Sequence, residues 1–514
     1  MTPHTVRTVA DVMSSPVVTA LPDETVAAAA ARMAERGVGS VIVVDGKRPI
    51  GILTERDVVR FAAAGPSAEG TKLDTCMTVD PDSVAPDLSV QEALADLSGH
   101  GYRHFPVTDE SGDLVGVVSM RDLMKIASIQ PVVHPGQIEA PPGLEGVIVA
   151  ETEVGDVRGQ EGFYHYREYS AVELADKRTL EDVWCLLFDG HLPSKAEHDA
   201  FLAEIRGQRA VPESVRSILP AIATSGGPIM DQLRTVVSLI GHSEGFKPWL
   251  DIPSEELRAN AIRVCSAVPT IIMALHRLAK GLDPIDPDPG LPYGANYLWM
   301  LSGEVPEPDM ARAVEQYQML TIDHGFNAST FTSRVITSTG ADLAAAVTGG
   351  IAALSGPLHG GAPSRALALL EAIGTPDNAR PYLVEHISSG EKIMGFGHRV
   401  YKTDDPRSVF LRGVAERIGA ERIEFAKGVE QTVVDVLAEL KPGRNLYANV
   451  EFYAGVVMDH CKLPPELFSP TFASSRVIGW CANILEQASD NRIIRPSARY
   501  VGKPPPQPVP DAET

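Results

Sequence analysis

Residues 309–325 read DMARAVEQYQMLTIDHG. Met310, Ala313, Val314, Tyr317 and Leu320 recur three or four positions apart, so they share one face of a helix. The same spacing dominates outward from this stretch, back to about residue 143 and on to about 489, and strand-like runs are few. This portion of the 514-residue chain is therefore predicted to be mostly α-helical.

The character changes upstream. Residues 129–142, IQPVVHPGQIEAPP, carry four prolines and few helix formers, and they read as a linker. The first 128 residues contain an internal repeat. VADVM at 9–13 returns as LDTCM at 73–77, Gly37 returns as Gly101, and GILTERD at 51–57 returns as GVVSMRD at 116–122, with an offset of 64 or 65. Each unit, about 8–64 and 70–127, reads as helix, strand, turn, strand, helix. In the first, an Ala-rich helix runs from Thr25 to Arg36 and stops at Gly37. SVIVVD (40–45) and PIGILT (49–54) flank an Asp45–Gly46 turn, and a helix over Glu55–Ala64 follows. In the second, Ser89 and Glu92 form a capping-box pattern, and FPVTD and LVGVVS are the strands. The end, 504–514, is proline-rich and is predicted to be disordered.

Composition bounds the function. A formal net charge of −22 argues against nucleic acid or an anionic membrane as the main partner, since both are polyanions. The five cysteines are scattered, odd in number and without a C-x-x-C pair. That fits reduced thiols in a cytoplasmic protein, and neither a disulfide framework nor a metal site. The first residues have no apolar core of a secretory signal, and no run of about 18 residues stays apolar, so no membrane span is expected.

In the repeat, an apolar strand followed by [ST]-x-x-D at a helix start occurs twice, with Thr54 and Asp57, then Ser119 and Asp122. Both resemble the CBS domain family. The resemblance implies a cleft for an adenine nucleotide (AMP, ADP or ATP), with Thr54 and Ser119 at phosphate or ribose and Asp57 and Asp122 at ribose hydroxyls. A helix N-terminus attracts phosphate, and a carboxylate suits vicinal hydroxyls. The same patterns are also capping boxes that need no ligand. Arg56 and Arg121 stand beside each aspartate, as phosphate partners or as solvated helix residues.

In the helical portion four segments occur in order: DHGFNASTFTSR (323–334), GPLHGGAPS (356–364), KIMGFGHRVYKTDDPR (392–407), and NVEFYAG (449–455) leading to FASSRVIGW and RIIRP (472–496). With GLEGVIVAETEVGDV (143–157), YHYREYS and LLFDGHLPS they resemble the citrate synthase family over 143–503. The resemblance implies a large and a small helical domain, a homodimer or larger homo-oligomer, and no cofactor for catalysis. It implies that acetyl-CoA condenses with oxaloacetate to give citrate and CoA. Propionyl-CoA is the rival acyl donor, because one methylene is worth only about 1–3 kcal/mol in a pocket. A nucleotide sensor with a silent synthase domain is a third reading.

By the same resemblance His359 stabilises the enol, His398 donates to the ketone, His324 holds oxaloacetate, and Arg407, Arg476 and Arg495 clamp its carboxylates, the last from the other subunit. Planar guanidinium forks suit carboxylates. A helix starting at Pro363 or Ser364 is expected to keep His359 neutral. Gly395 and Gly397 would lie along CoA, or form a plain turn. Glu451 stands where the family usually has an aspartate base. It is chemically competent, but longer by one methylene.

Overall fold

The computed structural model describes residues 8–65, 67–97, 103–120, 122–123, 139–359, 363–391, 393–397, 401, 403–441, 446–502 and 509. The chain divides into two compact units, 1–145 with 496–514, and 146–495. Most of the expected linker and of the proline-rich end fall outside the described residues.

In the first unit, β1 (Thr19–Ala20) runs parallel to β2 (Ser40–Asp45). Strand β2 turns at Gly46 into β3 (Arg48–Thr54), which pairs with β4 (Thr78–Val79). The Val26–Arg36 helix is capped by Thr25 and ends at Gly37 in the left-handed region. The helix after β3 spans Glu55–Ala64, as its sequence predicts. In the second repeat β5 (His104–Thr108) and β6 (Leu114–Ser119) form the hairpin.

The repeats exchange their opening segments. Val9 is buried with Val84, Val90, Phe105, Val107 and Val118, all from the second repeat. Leu73 is buried with Ala20, Val26, Val41, Val43 and Leu53 from the first. Two glycines make room for this: a Cβ on Gly116 would stand 2.3 Å from the Met13 sulfur, and one on Gly51 the same distance from that of Met77. Ile42, Val44 and Ile52 pack against Val17, Leu114 and Val117, joining the two repeats through a small apolar cluster.

Among its described residues the second unit is helical apart from an isolated bridge between Phe396 and Ala448 and a three-stranded meander, β7 (Gly155–Arg158), β8 (Phe163–Tyr166) and β9 (Tyr169–Ser170). Its core gathers on two long helices, Ser254–Ala279 and Phe468–Ser489. The Ser254–Ala279 helix is long and apolar enough to cross a membrane, but 83% of its most apolar window is buried inside this fold. The Pro308–Thr321 helix buries Ala313, Val314, Tyr317 and Leu320 of the face its spacing marks, but Met310 of that face is only half-buried, and from Ala313 on the helix is buried all round, with Glu315, Gln316, Gln318 and Met319 inside as well. From β8, Tyr166 donates to the Met319 carbonyl (2.8 Å) and Tyr164 to that of Leu320 (3.2 Å), which fixes the end of that helix.

Candidate active site

The segment after the Pro308–Thr321 helix supplies the first wall of the site. Asn327 caps the Ala328–Ser338 helix, its side-chain oxygen accepting the backbone N–H groups of Ser329 and Thr330 at 3.1 Å each. The Ser329 N–H also points at Nε2 of His359 (3.2 Å), and the Ser329 hydroxyl lies 2.8 Å from the same nitrogen. Trp480 donates its indole N–H to that hydroxyl at 3.1 Å. An amide can only donate, so Nε2 is the acceptor and the ring proton belongs on Nδ1. Burial, and then the charge of Arg476, push the His359 pKa down to about 4, so the imidazole is neutral at pH 7. The sequence places a helix start at Pro363, which is observed, but the low pKa comes from burial and Arg476.

His324 sits half-buried between two tyrosines. Its Nε2 lies 3.0 Å from the Tyr401 hydroxyl, and its ring packs on Tyr164 and Tyr401 at 5.5 Å each.

Arg476 and Arg407 are two of the buried arginines of this unit. Arg476, on the Phe468–Ser489 helix, donates from Nε to the Thr321 carbonyl (2.7 Å) and rests over the Phe472 ring. Burial lowers its pKa, with the charge of Asp323 opposing. Asp323 itself is raised to about 6 by burial, Arg476 pulling it down. Arg407 opens the Pro406–Arg417 helix and is gripped by Asp405 through Nε (3.0 Å) and Nη2 (2.8 Å).

Glu451 lies in the first turn of the Val450–His460 helix, where Asn449 accepts its backbone N–H at 3.1 Å. Burial pushes its carboxyl up to about 7, against the pull of Arg407 and with the help of Asp405.

These groups form one electrostatic cluster. Arg476 acts on His359, Arg407 on Arg476 and on Glu451, and Tyr317 feels Glu451, Arg476 and Arg407 together. The arrangement therefore brings together His359, Arg407, Arg476 and Glu451. Arg495 is exposed, beyond the last helix. His398, Gly360 and Gly361 lie outside the described residues. Gly395 and Gly397 are present with φ of 82° and 83°, a conformation that favours glycine. Their loop is bound to the segment before Glu451: Gly397 N–H donates to the Tyr447 carbonyl (2.8 Å), and Asn449 N–H to that of Gly395 (2.9 Å). Sequence reasoning missed Asp405, Ser329, Trp480, Tyr164, Tyr166 and Tyr401. Their partners are distant in sequence or buried, and spacing alone carries no signal for them.

In the first unit both [ST]-x-x-D patterns are closed on themselves. The Thr54 hydroxyl and N–H donate to Asp57 (2.6 and 3.0 Å). The Ser119 hydroxyl donates to Asp122 (2.6 Å) and accepts its N–H (3.2 Å). The Glu55 N–H is taken by the Gly39 carbonyl at 3.1 Å. Arg56 is exposed, and Arg121 lies outside the described residues.

A helical fold whose buried site holds a carboxyl near neutral pKa, an uncharged imidazole and paired guanidiniums has the makings of an enzyme suited to proton transfer on an anionic substrate. The family model for the citrate synthase C-terminal domain matches residues 143–497, and that for the CBS domain matches 9–64 and 73–129. A citrate synthase of Synechocystis is 38% identical over 365 residues, covering 70% of this chain and 90% of the relative. A 2-methylcitrate synthase of Mycobacterium tuberculosis is 39% identical over 361 residues, again 70% and 90%. The crystal structure of the Thermoplasma acidophilum citrate synthase in ternary complex with carboxymethyl coenzyme A and oxaloacetate superposes with a TM-score of 0.66. It is 27% identical and covers 72% of this chain and 98% of that one. The chain belongs to the citrate synthase family, as an acyltransferase of that type, and carries two CBS domains at its N-terminal end.

Proposed function

We propose that the chain condenses acetyl-CoA with oxaloacetate and hydrolyses the thioester, giving citrate and CoA. In this reading Glu451 takes a proton from the acetyl methyl group, and Nδ1–H of His359 donates to the enol oxygen. The new carbon–carbon bond forms at the oxaloacetate ketone. The ketone oxygen becomes an alkoxide and is protonated, with His398 as donor by family likeness, and water then cleaves the thioester. Arg407, Arg476 and His324 hold oxaloacetate, Arg495 of the partner subunit completes the clamp in a homodimer, and the Gly395–Gly397 loop flanks CoA. No cofactor is needed for these steps.

The observation that carries the reading is the pairing of opposite shifts around two buried guanidiniums, with Glu451 at about 7 and His359 at about 4. A base near the working pH combines a useful ionised fraction with real proton affinity. A neutral imidazole donates without competing for the proton.

A second reading is 2-methylcitrate synthesis from propionyl-CoA, supported by the 39% identity to a relative of that name. Thiol release measured with both acyl donors separates the two. We expect the larger kcat/KM with acetyl-CoA, and a preference for propionyl-CoA would reverse the assignment. The CBS pair is further proposed to bind an adenine nucleotide and set the rate. Binding by Thr54, Asp57, Ser119 and Asp122 requires their internal bonds to open toward the ligand. Titrating AMP, ADP and ATP during the same assay tests this, and unchanged kinetics despite measured binding would refute it. The free state of all five cysteines supports a reducing, cytoplasmic setting.

A further inference from the structure

Asp405 is 1% exposed, and its carboxylate accepts four hydrogen bonds. Oδ1 takes the backbone N–H and the Nε–H of Arg407, each at 3.0 Å. Oδ2 takes Nη2–H of Arg407 at 2.8 Å and the backbone N–H of Val450 at 3.0 Å. Val450 is the first residue of the helix whose next residue is Glu451. One buried carboxylate thus caps the Arg407 helix, sets the plane of the guanidinium and holds the start of the Glu451 helix. The guanidinium is steadied further by the Tyr164 and Tyr401 rings, 5.9 and 5.8 Å from its centre.

We propose that Asp405 is a positioning residue that fixes the distance between the substrate clamp and the catalytic base, so that oxaloacetate held by Arg407 meets an acyl donor deprotonated by Glu451. This rests on the reaction proposed above. A carboxylate with about four acceptor sites is fully used here, so the site has no slack for a substitute. The groups facing Glu451 are Arg407 and Asp405 from one neighbouring helix and Tyr317 from another. On the other packed helices, Glu430 bonds Tyr453 instead, and Arg365 is exposed.

The test is Asp405→Asn in the full chain, with melting and far-UV circular dichroism as folding controls. The KM for oxaloacetate is expected to rise and kcat to fall, together by roughly 10- to 100-fold. The acid limb of the pH–rate profile should move to lower pH, because a negative neighbour of Glu451 is gone. A purely structural role would lower the melting temperature and leave that limb in place. Both kinetic constants within twofold of wild type, with an unmoved limb, would overturn the proposal.

If Asp405→Asn does not fold, Val450→Pro isolates the second link. Proline is tolerated at a first helical position, and the preceding Asn449 is extended, as proline requires. The change deletes one N–H and puts a ring carbon against Oδ2. A fall in kcat with melting preserved supports the link, and unchanged kcat refutes it. If wild type itself releases no CoA, the proposed reaction fails. The link is then read by oxaloacetate calorimetry on Asp405→Asn, where unchanged affinity counts against it.

Discussion

At the scale of single residues, the departure that matters is Glu451. Burial pushes its carboxyl up to about 7 in the fold, from the 4.5 of a freely solvated glutamate in the unfolded chain. Between those values the folded state holds a proton that the unfolded state has lost, so this group makes stability fall as pH rises through the window. Ionised and buried, it costs the fold on the order of 1–3 kcal/mol above pH 7. Glu451→Gln is therefore expected to melt higher than wild type at pH 8 and level with it near pH 4, while CoA release drops roughly 10²- to 10⁴-fold. A variant that loses activity and also melts lower at pH 8 would contradict the buried charge. Wild-type kcat/KM should itself rise with pH through about 7, the value at which the base ionises. His359, held near 4, stays neutral across that range and adds no second limb there.

At the scale of elements, the site depends on how closely the Phe468–Ser489 helix approaches the 321–324 segment. Gly479 makes this possible: a Cβ there would lie 2.0 Å from the Ile322 carbonyl oxygen. From the same helix Arg476 reaches the Thr321 carbonyl, and Asn483 reaches Asp323 at 3.3 Å. Gly479→Ala gains about 1 kcal/mol of helix propensity, but overpacking against a rigid backbone carbonyl costs about 1–3 kcal/mol. We expect a lower melting temperature and a raised KM for oxaloacetate, measured by differential scanning fluorimetry and steady-state kinetics. The glycine's necessity was not visible in FASSRVIGW, because it arises from a chain segment over 150 residues away. What was visible is local. The 308–321 helix follows from its spacing, the Glu55–Ala64 helix from its T-x-x-D start, and the repeat hairpins from their strand and turn residues. The exchange of VADVM and LDTCM between repeats is a choice of partner, and two segments so alike carry no mark of which core each enters. Asp405 is similar. Its capping of the Arg407 helix and its bond to the Val450 amide both emerge only in the fold, and nothing in DDPR reveals that amide as a partner.

At the scale of the whole molecule, the two compact units have separate hydrophobic cores, the first built from Val9, Val26, Leu73 and Phe105 and their neighbours, the second from the long helices. Calorimetry of the full chain is expected to give two unfolding transitions, since cooperativity follows a shared core. An adenine nucleotide at 100 times its Kd should raise only the first, by about 2.7 kcal/mol of added stability. Oxaloacetate with a non-reactive CoA analogue should raise only the second. Regulation demands more than two bound ligands. A nucleotide that alters oxaloacetate affinity by some factor must have its own affinity altered by the same factor, because both are one coupling free energy. Nucleotide Kd measured with and without saturating oxaloacetate should therefore differ by roughly fivefold or more, the lower end of ordinary allosteric coupling. Identical values, alongside two transitions that respond separately, would mean that the repeat binds its ligand without governing the enzyme.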